Sequence, residues 1–306
     1  MDATNISRKI IQAANSIVNI AISLIVLFVL IFDAYTIWDS NKLYEGTNPE
    51  SYEIYKPITG NENLSFQELK TINPEVFAWL TVYGTHIDYP VTQSTNNLKY
   101  INTNVTGEPS LFGNIFLDCN NNQNFSDFSN ILYGHHMEKQ AMFGEIGMFA
   151  DKDYFDERSY GKLYYGGQEV GLEFFAFIYA DAYDRSIFRT TIIGQEHKQE
   201  FLDLLLGRAV NARESSRATV GDHLVLLSTC SPTATNGRDI LIGKITNEIH
   251  DNPFKTEKIN NITQKNFWER LPLWIKIFIT VLPFLIILLI FIYIKKRRSK
   301  KKEDDE

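Results

Sequence analysis

Two long apolar runs frame the chain, and between them hydrophobic positions recur in short bursts. Residues 17–32 (IVNIAISLIVLFVLIF) are interrupted only by Asn19 and Ser23. Extended to Trp38, this run reaches the ~20 residues that a helix needs to cross about 30 Å of hydrocarbon. Residues 275–294 (IKIFITVLPFLIILLIFIYI) form the second run. Lys276 stands at its edge, where a long side chain snorkels, and Pro283 kinks a membrane helix without forbidding it. Both runs predict transmembrane helices.

The intervening pattern is different. Residues 39–64 are polar with no clean period and predict a stalk. Residues 66–80 (FQELKTINPEVFAWL) predict a short helix, a turn at Asn73-Pro74 and a second helix capped by Asn73, with Pro74 in its first turn. Residues 81–91 predict a hairpin turning at Gly84, and 111–117 and 130–134 predict short strands. Residues 162–165 and 170–181 flank Gly166-Gly167, a hairpin signal. Residues 196–210 have helical spacing, with Phe201, Leu204, Leu205 and Ala209 along one face. Residues 223–229 and 239–245 predict the last two strands. About eight short strands with helices at the start and between late strands, and no βαβ repeat, predict a mainly-β closed barrel with peripheral helices. The expected organisation is a cytoplasmic N-terminus and anchor over 1–38, a stalk over 39–64, a folded domain over 65–250, a linker over 251–274, a second span over 275–294 and a tail over 295–306.

Charge sets the orientation. Residues 295–302 (KKRRSKKK) are basic at seven of eight positions, and Arg8 and Lys9 precede the first run. Lys and Arg excess marks cytoplasmic flanks, so both ends are expected inside and the middle segment outside. No A-x-A-like site follows the first run, which predicts an uncleaved anchor. The chain carries −7 overall, and residues 39–271 carry −11. An acidic ectodomain argues against a nucleic-acid partner and weakly fits a cationic or amine-bearing one. Cys119 and Cys230 are too few for a disulfide scaffold, and roughly 235 residues suffice for a self-supporting core.

Three positions suggest chemistry. Cys230 ends the strand HLVLLSTC, His135 follows NILYG, and Arg238 begins RDILIG. Each lies at a strand end, where a barrel rim gathers residues distant in sequence. Singly each has a bland reading: a small buried hydrophobe, a hydrogen-bonded histidine, a solvated charge. A cysteine with a distant histidine is also the arrangement of a thiolate nucleophile with its acid–base partner. The remaining histidines (His86, His197, His223, His250) show no ligand spacing, so neither metal nor cofactor is expected.

Taken together these segments resemble the class B sortases. LSTC at 227–230 resembles the sortase nucleophile motif T-L-x-T-C, with Leu226 where its first Thr is expected. ILYGHHM at 131–137, followed by MFG at 142–144, resembles the catalytic-histidine segment. NPEVFAWLTVYGTHIDYPV at 73–91 and LFGNIFLD at 111–118 resemble the two earlier blocks, and Arg238 takes the place of the family arginine. The resemblance runs in order from about residue 66 to 246 and implies an eight-stranded sortase-type barrel.

It also implies a reaction. A C-terminal sorting motif, of the LPxTG or NPQTN kind, is cut after its Thr through a thioacyl enzyme on Cys230. His135 is the expected general acid and then base, and Arg238 holds substrate or stabilises the oxyanion. The acyl group passes to an amine, either a cell-wall cross-bridge or a pilin lysine. Ser228, Thr229, Asn97, Ile187 and Ile192 are implied as substrate contacts, with the helix over 196–210 marking the class. The implied partners are surface proteins or pilins bearing a sorting signal, the amine acceptor and the membrane.

The chain also departs from the family pattern. The interval from Cys230 to Arg238 is short, Ser231 replaces a frequent acid, Cys119 replaces an aromatic, and a second C-terminal span is more familiar among pilin-polymerising sortases. A disulfide between Cys119 and Cys230 would inactivate such an enzyme. Two other readings stay open: a membrane-tethered cysteine protease that releases product to water, and an inactive assembly scaffold.

Overall fold

The structure, a computed structural model, describes residues 3–45, 47–57, 64–232 and 234–254. The predicted second span over 275–294 lies outside the described residues. The first apolar run lies in helix α1 (Ala3–Glu45), which is long and apolar enough to cross a membrane. Among the described residues it is the one helix that is. Its large apolar side chains, Leu24 and Phe28 among them, are exposed. The Ser23 hydroxyl donates to the Asn19 carbonyl at 2.8 Å, so this polar group is satisfied within the helix.

A second unit, described by itself, spans Leu43–Thr256. Among the described residues it has nine strands, β1 (Val76–Val82), β2 (Asp88–Thr92), β3 (Ile115–Leu117), β4 (Ser129–Tyr133), β5 (Tyr160–Tyr165), β6 (Gln168–Asp181), β7 (Ala209–Ala212), β8 (Leu224–Cys230) and β9 (Gly237–Thr246). The hydrogen-bonded order is β5-β1-β2-β3-β4-β8-β9-β6, and β6 pairs with β5 to close the ring. This is the expected eight-stranded barrel. The ninth strand, β7, adds to β6 beyond the point where β5 ends: β5 pairs with residues 168–173 of β6 and β7 with 176–178. The helix predicted over 196–210 is corrected here: it ends at Gly207, and Ala209 and Val210 begin β7, four residues that carry too little period to register as a strand.

Alternation along the strands divides the core. Val225 and Leu227 of β8 join the large cluster with Leu80, Leu117 and Leu241, while Leu224 and Leu226 join Ile240 and Ile242 in a second cluster. That second cluster is covered by helix α4 (Gln195–Gly207) through Phe201, Leu202 and Leu205. Burying each of these side chains contributes about 1.5–3 kcal/mol. Two further helices are described, α2 (Leu64–Ile72), which packs Phe66 and Leu69 on Val76 and Trp79, and α3 (Lys152–Glu157), whose Phe155 joins the large cluster.

Two further expectations are corrected. The second helix predicted over 74–80 is strand β1, with all seven residues buried. Ala78, Leu80 and Val82 join the large cluster, while Val76 and Trp79 pack with Phe66 and Leu69 of α2. A strand covered on both faces shows a continuous apolar run, which hides its period of two. The polar segment read as a stalk also packs on the barrel over 47–56. Thr47 is buried and its carbonyl accepts from the Tyr89 hydroxyl at 2.7 Å.

Lys56 meets Asp88 at 2.5 Å, and Asp88 also accepts from Trp79 Nε1 and Thr81 Oγ1, both at 2.9 Å. Burial raises the Asp88 carboxyl, but the Lys56 charge and these donors outweigh it and hold the group below the usual range. A depressed carboxylate contributes stability above its unfolded pKa and loses it as pH falls. Lys56→Met is therefore expected to lower stability by about 1–3 kcal/mol near neutral pH. In thermal unfolding, the gap from the parent should narrow toward about pH 3. An equal gap at both pH values would contradict this role.

Candidate active site

The β8–β9 hairpin sets two of the three predicted residues face to face. Cys230 is the register partner of Arg238, and directly opposed antiparallel residues project to the same face. Arg238 Nη1 lies 3.3 Å from Cys230 Sγ, and Cys230 is exposed. The Ser231 amide donates to the Gly237 carbonyl at 2.8 Å and closes the connection. Cys230 and Arg238 thus occupy the last rung of the β8–β9 ladder, despite the short interval between them in sequence.

His135 arrives from the neighbouring strand. β4 runs parallel to β8 with Tyr133 opposite Ser228, and the Gly134 amide donates to the Ser228 carbonyl at 3.2 Å. A Cβ on Gly134 would lie 2.7 Å from the Phe143 ring, so the bend into His135 needs glycine. His135 Nε2 is 2.8 Å from the Ile101 carbonyl. A carbonyl only accepts, which assigns the proton to Nε2 and leaves Nδ1 of a neutral ring free to take another. His135 joins Cys230 and Arg238 along one open cleft of about 470 Å³. His136 does not line it; its Nδ1 is buried without a hydrogen-bond partner among the described residues.

The remaining predicted contacts divide. Asn97, Ser228 and Thr229 line the cleft. The Asn97 amide is already committed: Nδ2 donates to Asp118 at 2.8 Å and Oδ1 accepts from the Cys119 amide at 2.8 Å. The Ser228 and Thr229 hydroxyls are buried without partners among the described residues. Ile187 and Ile192 are not brought to the cleft. Both are buried in the cluster under α4 with Phe201 and Leu205, because apolar side chains beside a helix face are drawn into its core rather than left lining a groove. Phe188, between them in sequence, lines the cleft instead and stacks on Tyr133 at 6.3 Å.

Several groups escape a reading of the sequence alone. The Ile101 carbonyl is a backbone group and leaves no residue-type signal. Asp118, the last residue of LFGNIFLD, holds both Asn97 and the Tyr133 hydroxyl, the latter at 3.1 Å. Burial, then the Asp118 charge, pushes the Tyr133 phenol far up, so it stays protonated as a donor. Asp239 directly follows Arg238 and is 2% exposed, with Oδ1 unpartnered among the described residues. Burial raises its carboxyl, against smaller opposing effects from Ser231 and His136. An acid beside the predicted arginine is the available signal. Cys119 is partly buried and has a free thiol. Among the described residues, no group of three or more His, Cys, Asp or Glu is placed to hold a metal ion.

A soft nucleophile, a guanidinium within reach of it and an imidazole with one free nitrogen, all on one open cleft, can support acyl transfer through a thioester. Known proteins agree with this chemistry. The chain is similar to Sortase B of Listeria monocytogenes, 27% identical over 241 residues that cover 74% of this chain and 95% of that protein. A solved sortase B from the type II pilus of Streptococcus pneumoniae is 43% identical, with a TM-score of 0.52 over 60% of this chain and 99% of the other. A solved Streptococcus pyogenes class B sortase involved in pilus biogenesis is 40% identical, with a TM-score of 0.55 over 60% of this chain and all (100%) of the other. No protein-family model matches the sequence.

Proposed function

The chain belongs to the class B sortases, and on that premise we propose that Cys230, His135 and Arg238 carry out its transpeptidation. The enzyme is a cysteine transpeptidase. Cys230 Sγ, having passed its thiol proton to His135 Nδ1, attacks the Thr carbonyl carbon of a sorting motif of the LPxTG or NPQTN kind. The carbonyl π electrons move to oxygen, and the Arg238 guanidinium, 3.3 Å from the sulfur, neutralises that charge. Collapse of the tetrahedral species breaks the peptide C–N bond. His135, as imidazolium, gives its proton to the leaving amine, and the acyl group stays on sulfur as a thioester. An incoming amine then loses a proton to His135, attacks the thioester and releases Cys230. The thioester keeps the acyl group activated, so no nucleotide is consumed.

The Ser228 and Thr229 hydroxyls serve as donors or acceptors for the bound motif, since each is buried at the cleft without an internal partner among the described residues. The substrates are proteins bearing a C-terminal sorting signal. We favour a pilin-type lysine acceptor over a wall cross-bridge, because two relatives at 43% and 40% identity are named for pilus systems. The basic flanks of the two apolar runs support a topology with the domain outside the cell, anchored through the first run, both termini cytoplasmic and a second span over 275–294. The single observation that carries the catalytic assignment is the Cys230–Arg238 contact on the cleft that His135 lines.

Adding hydroxylamine to enzyme and a sorting peptide tests the transfer step. The expected result is a hydroxamate on the Thr carboxyl and faster turnover than in water alone. Unchanged turnover with only hydrolysed peptide would support a protease instead.

A further inference from the structure

Ser231, His136 and Asp239 each directly follow one of the three proposed catalytic residues, and none of them lines the cleft. Successive side chains of an extended chain point to opposite faces. Thr229 pairs with Asp239 in the β8–β9 ladder, and both continue the face of Val225, Leu227 and Leu241, which belong to the large cluster. Cys230 and Arg238 project from the other face. Asp239 thus lies at the end of the barrel interior, behind the rung that carries the sulfur and the guanidinium.

An ionisable group is costly to bury, and Asp239 is 2% exposed with Oδ1 unpartnered among the described residues. Its surroundings supply a reason for it. On one side Ser231 hydrogen-bonds to the carboxylate through its side chain. On the other side Oδ2 packs on Gly147 so closely that a Cβ there would lie 2.6 Å from it. Gly147 belongs to the 3-10 turn Ile146–Ala150. That turn is continuous with the segment that supports His135. The Ile146 amide donates to the Phe143 carbonyl at 3.1 Å, the Phe143 amide donates to the His135 carbonyl at 3.0 Å, and the Phe143 ring packs on Gly134. His136 is also near enough for its charge to act on the carboxylate.

Asp239 therefore joins the chain just after Cys230 to the chain that holds His135. We infer that Asp239 is a positioning residue: set between Ser231 and Gly147, it fixes the end of the β8–β9 ladder against the support of His135, and so holds the imidazole where it can protonate the leaving amine. This inference rests on the transpeptidation proposed above and adds what fixes its acid–base geometry. Asp239 itself lines no part of the cleft and takes no part in bond making.

The experiment gives the full chain two substrates. One is a sorting peptide with its Thr–Gly amide, whose leaving amine must gain a proton as the C–N bond breaks. The other carries a thioester at the same bond, from which a thiolate, the conjugate base of a thiol with a pKa of about 8.5, leaves without one. Attack by the Cys230 sulfur is common to both. The ratio of amide to thioester turnover therefore reports the placement of His135 as acid, and a smaller folded fraction does not move it. His135→Asn sets the scale by lowering this ratio. Asp239→Ala is expected to lower it by about tenfold, short of the ~10²-fold that a 1 Å misplacement costs. Gly147→Ala keeps the acid but drives its carboxylate aside, and should lower the ratio in the same direction. Equal loss on both substrates would confine Asp239 to folding and overturn the inference. A parent-like ratio in Asp239→Ala would overturn it too, as would a parent-like ratio in Gly147→Ala should melting curves show that Asp239→Ala does not fold. A ratio that His135→Asn leaves unmoved would instead overturn the role of His135, and with it the reading on which the inference rests.

Discussion

Replacing Cys230 by Ala is expected to abolish cleavage of a sorting peptide, by about 10⁴-fold or more, while leaving thermal unfolding near that of the parent. The size follows from what the sulfur supplies. Without it no covalent intermediate forms, and what remains is the background due to binding and charge stabilisation alone. The fold should tolerate the change because Cys230 is the exposed last residue of β8, and its sulfur contacts the side chain of Arg238 rather than packed core. The strand is held by its ladder to β4 and β9 and by the buried residues 224–227, none of which the substitution touches. Steady-state release of the leaving peptide, beside a melting curve, checks both halves. Retained cleavage in a folded variant would remove Cys230 as the nucleophile.

His135→Asn is expected to cost about 10²–10⁴-fold, the usual range for a lost general acid–base. Asparagine is too short to reach the Ile101 carbonyl, the partner of His135 Nε2 at 2.8 Å, so this contact is lost together with proton transfer. Three proton transfers depend on this ring, one from the thiol, one to the leaving amine and one from the incoming amine, so both acylation and aminolysis should slow. The neighbouring His136→Asn should stay within about tenfold, because the cleft is lined by His135 and not by His136. Single-turnover measurements of acylation for both variants decide between the two histidines. A larger loss at 136 than at 135 would reverse the assignment.

Much of this arrangement is legible in the amino-acid sequence. The strands are short, separated by turns and end on the residues of interest, so the barrel and the three rim positions follow from pattern and motif together. The features that are not legible have physical causes. β1 is buried on both faces, so its apolar run carries no period, and Pro74 with Asn73 imitates a helix start. The polar segment around Thr47 and Lys56 looks like a stalk because its anchoring contacts are a carbonyl and one ammonium, which sequence periodicity does not register. β7 is four residues long and is recruited only because β6 outruns β5.

The site shows the same division. Residues whose type is the chemistry, such as Cys230, are readable, as is Arg238 from the family arginine whose place it takes; that it stands opposite Cys230 is a fact of the β8–β9 register. Ile187 and Ile192 are misplaced by sequence reasoning because proximity along the chain to a groove does not decide which side of a loop faces it. Their apolar side chains lie under α4, and Phe188 between them turns to the cleft. The Ile101 carbonyl has no sequence signal, since every residue carries one.

The central claim is that acyl transfer passes through the sulfur of Cys230. Mixing the full chain with a sorting peptide, quenching in acid within the first turnover and mapping the protein by mass spectrometry tests it most directly. The predicted result is an added mass equal to the acyl portion up to Thr, on the fragment containing Cys230 and lost on treatment with hydroxylamine. Cleavage that proceeds with no adduct, or with the adduct on Cys119 or any other residue, would contradict the account.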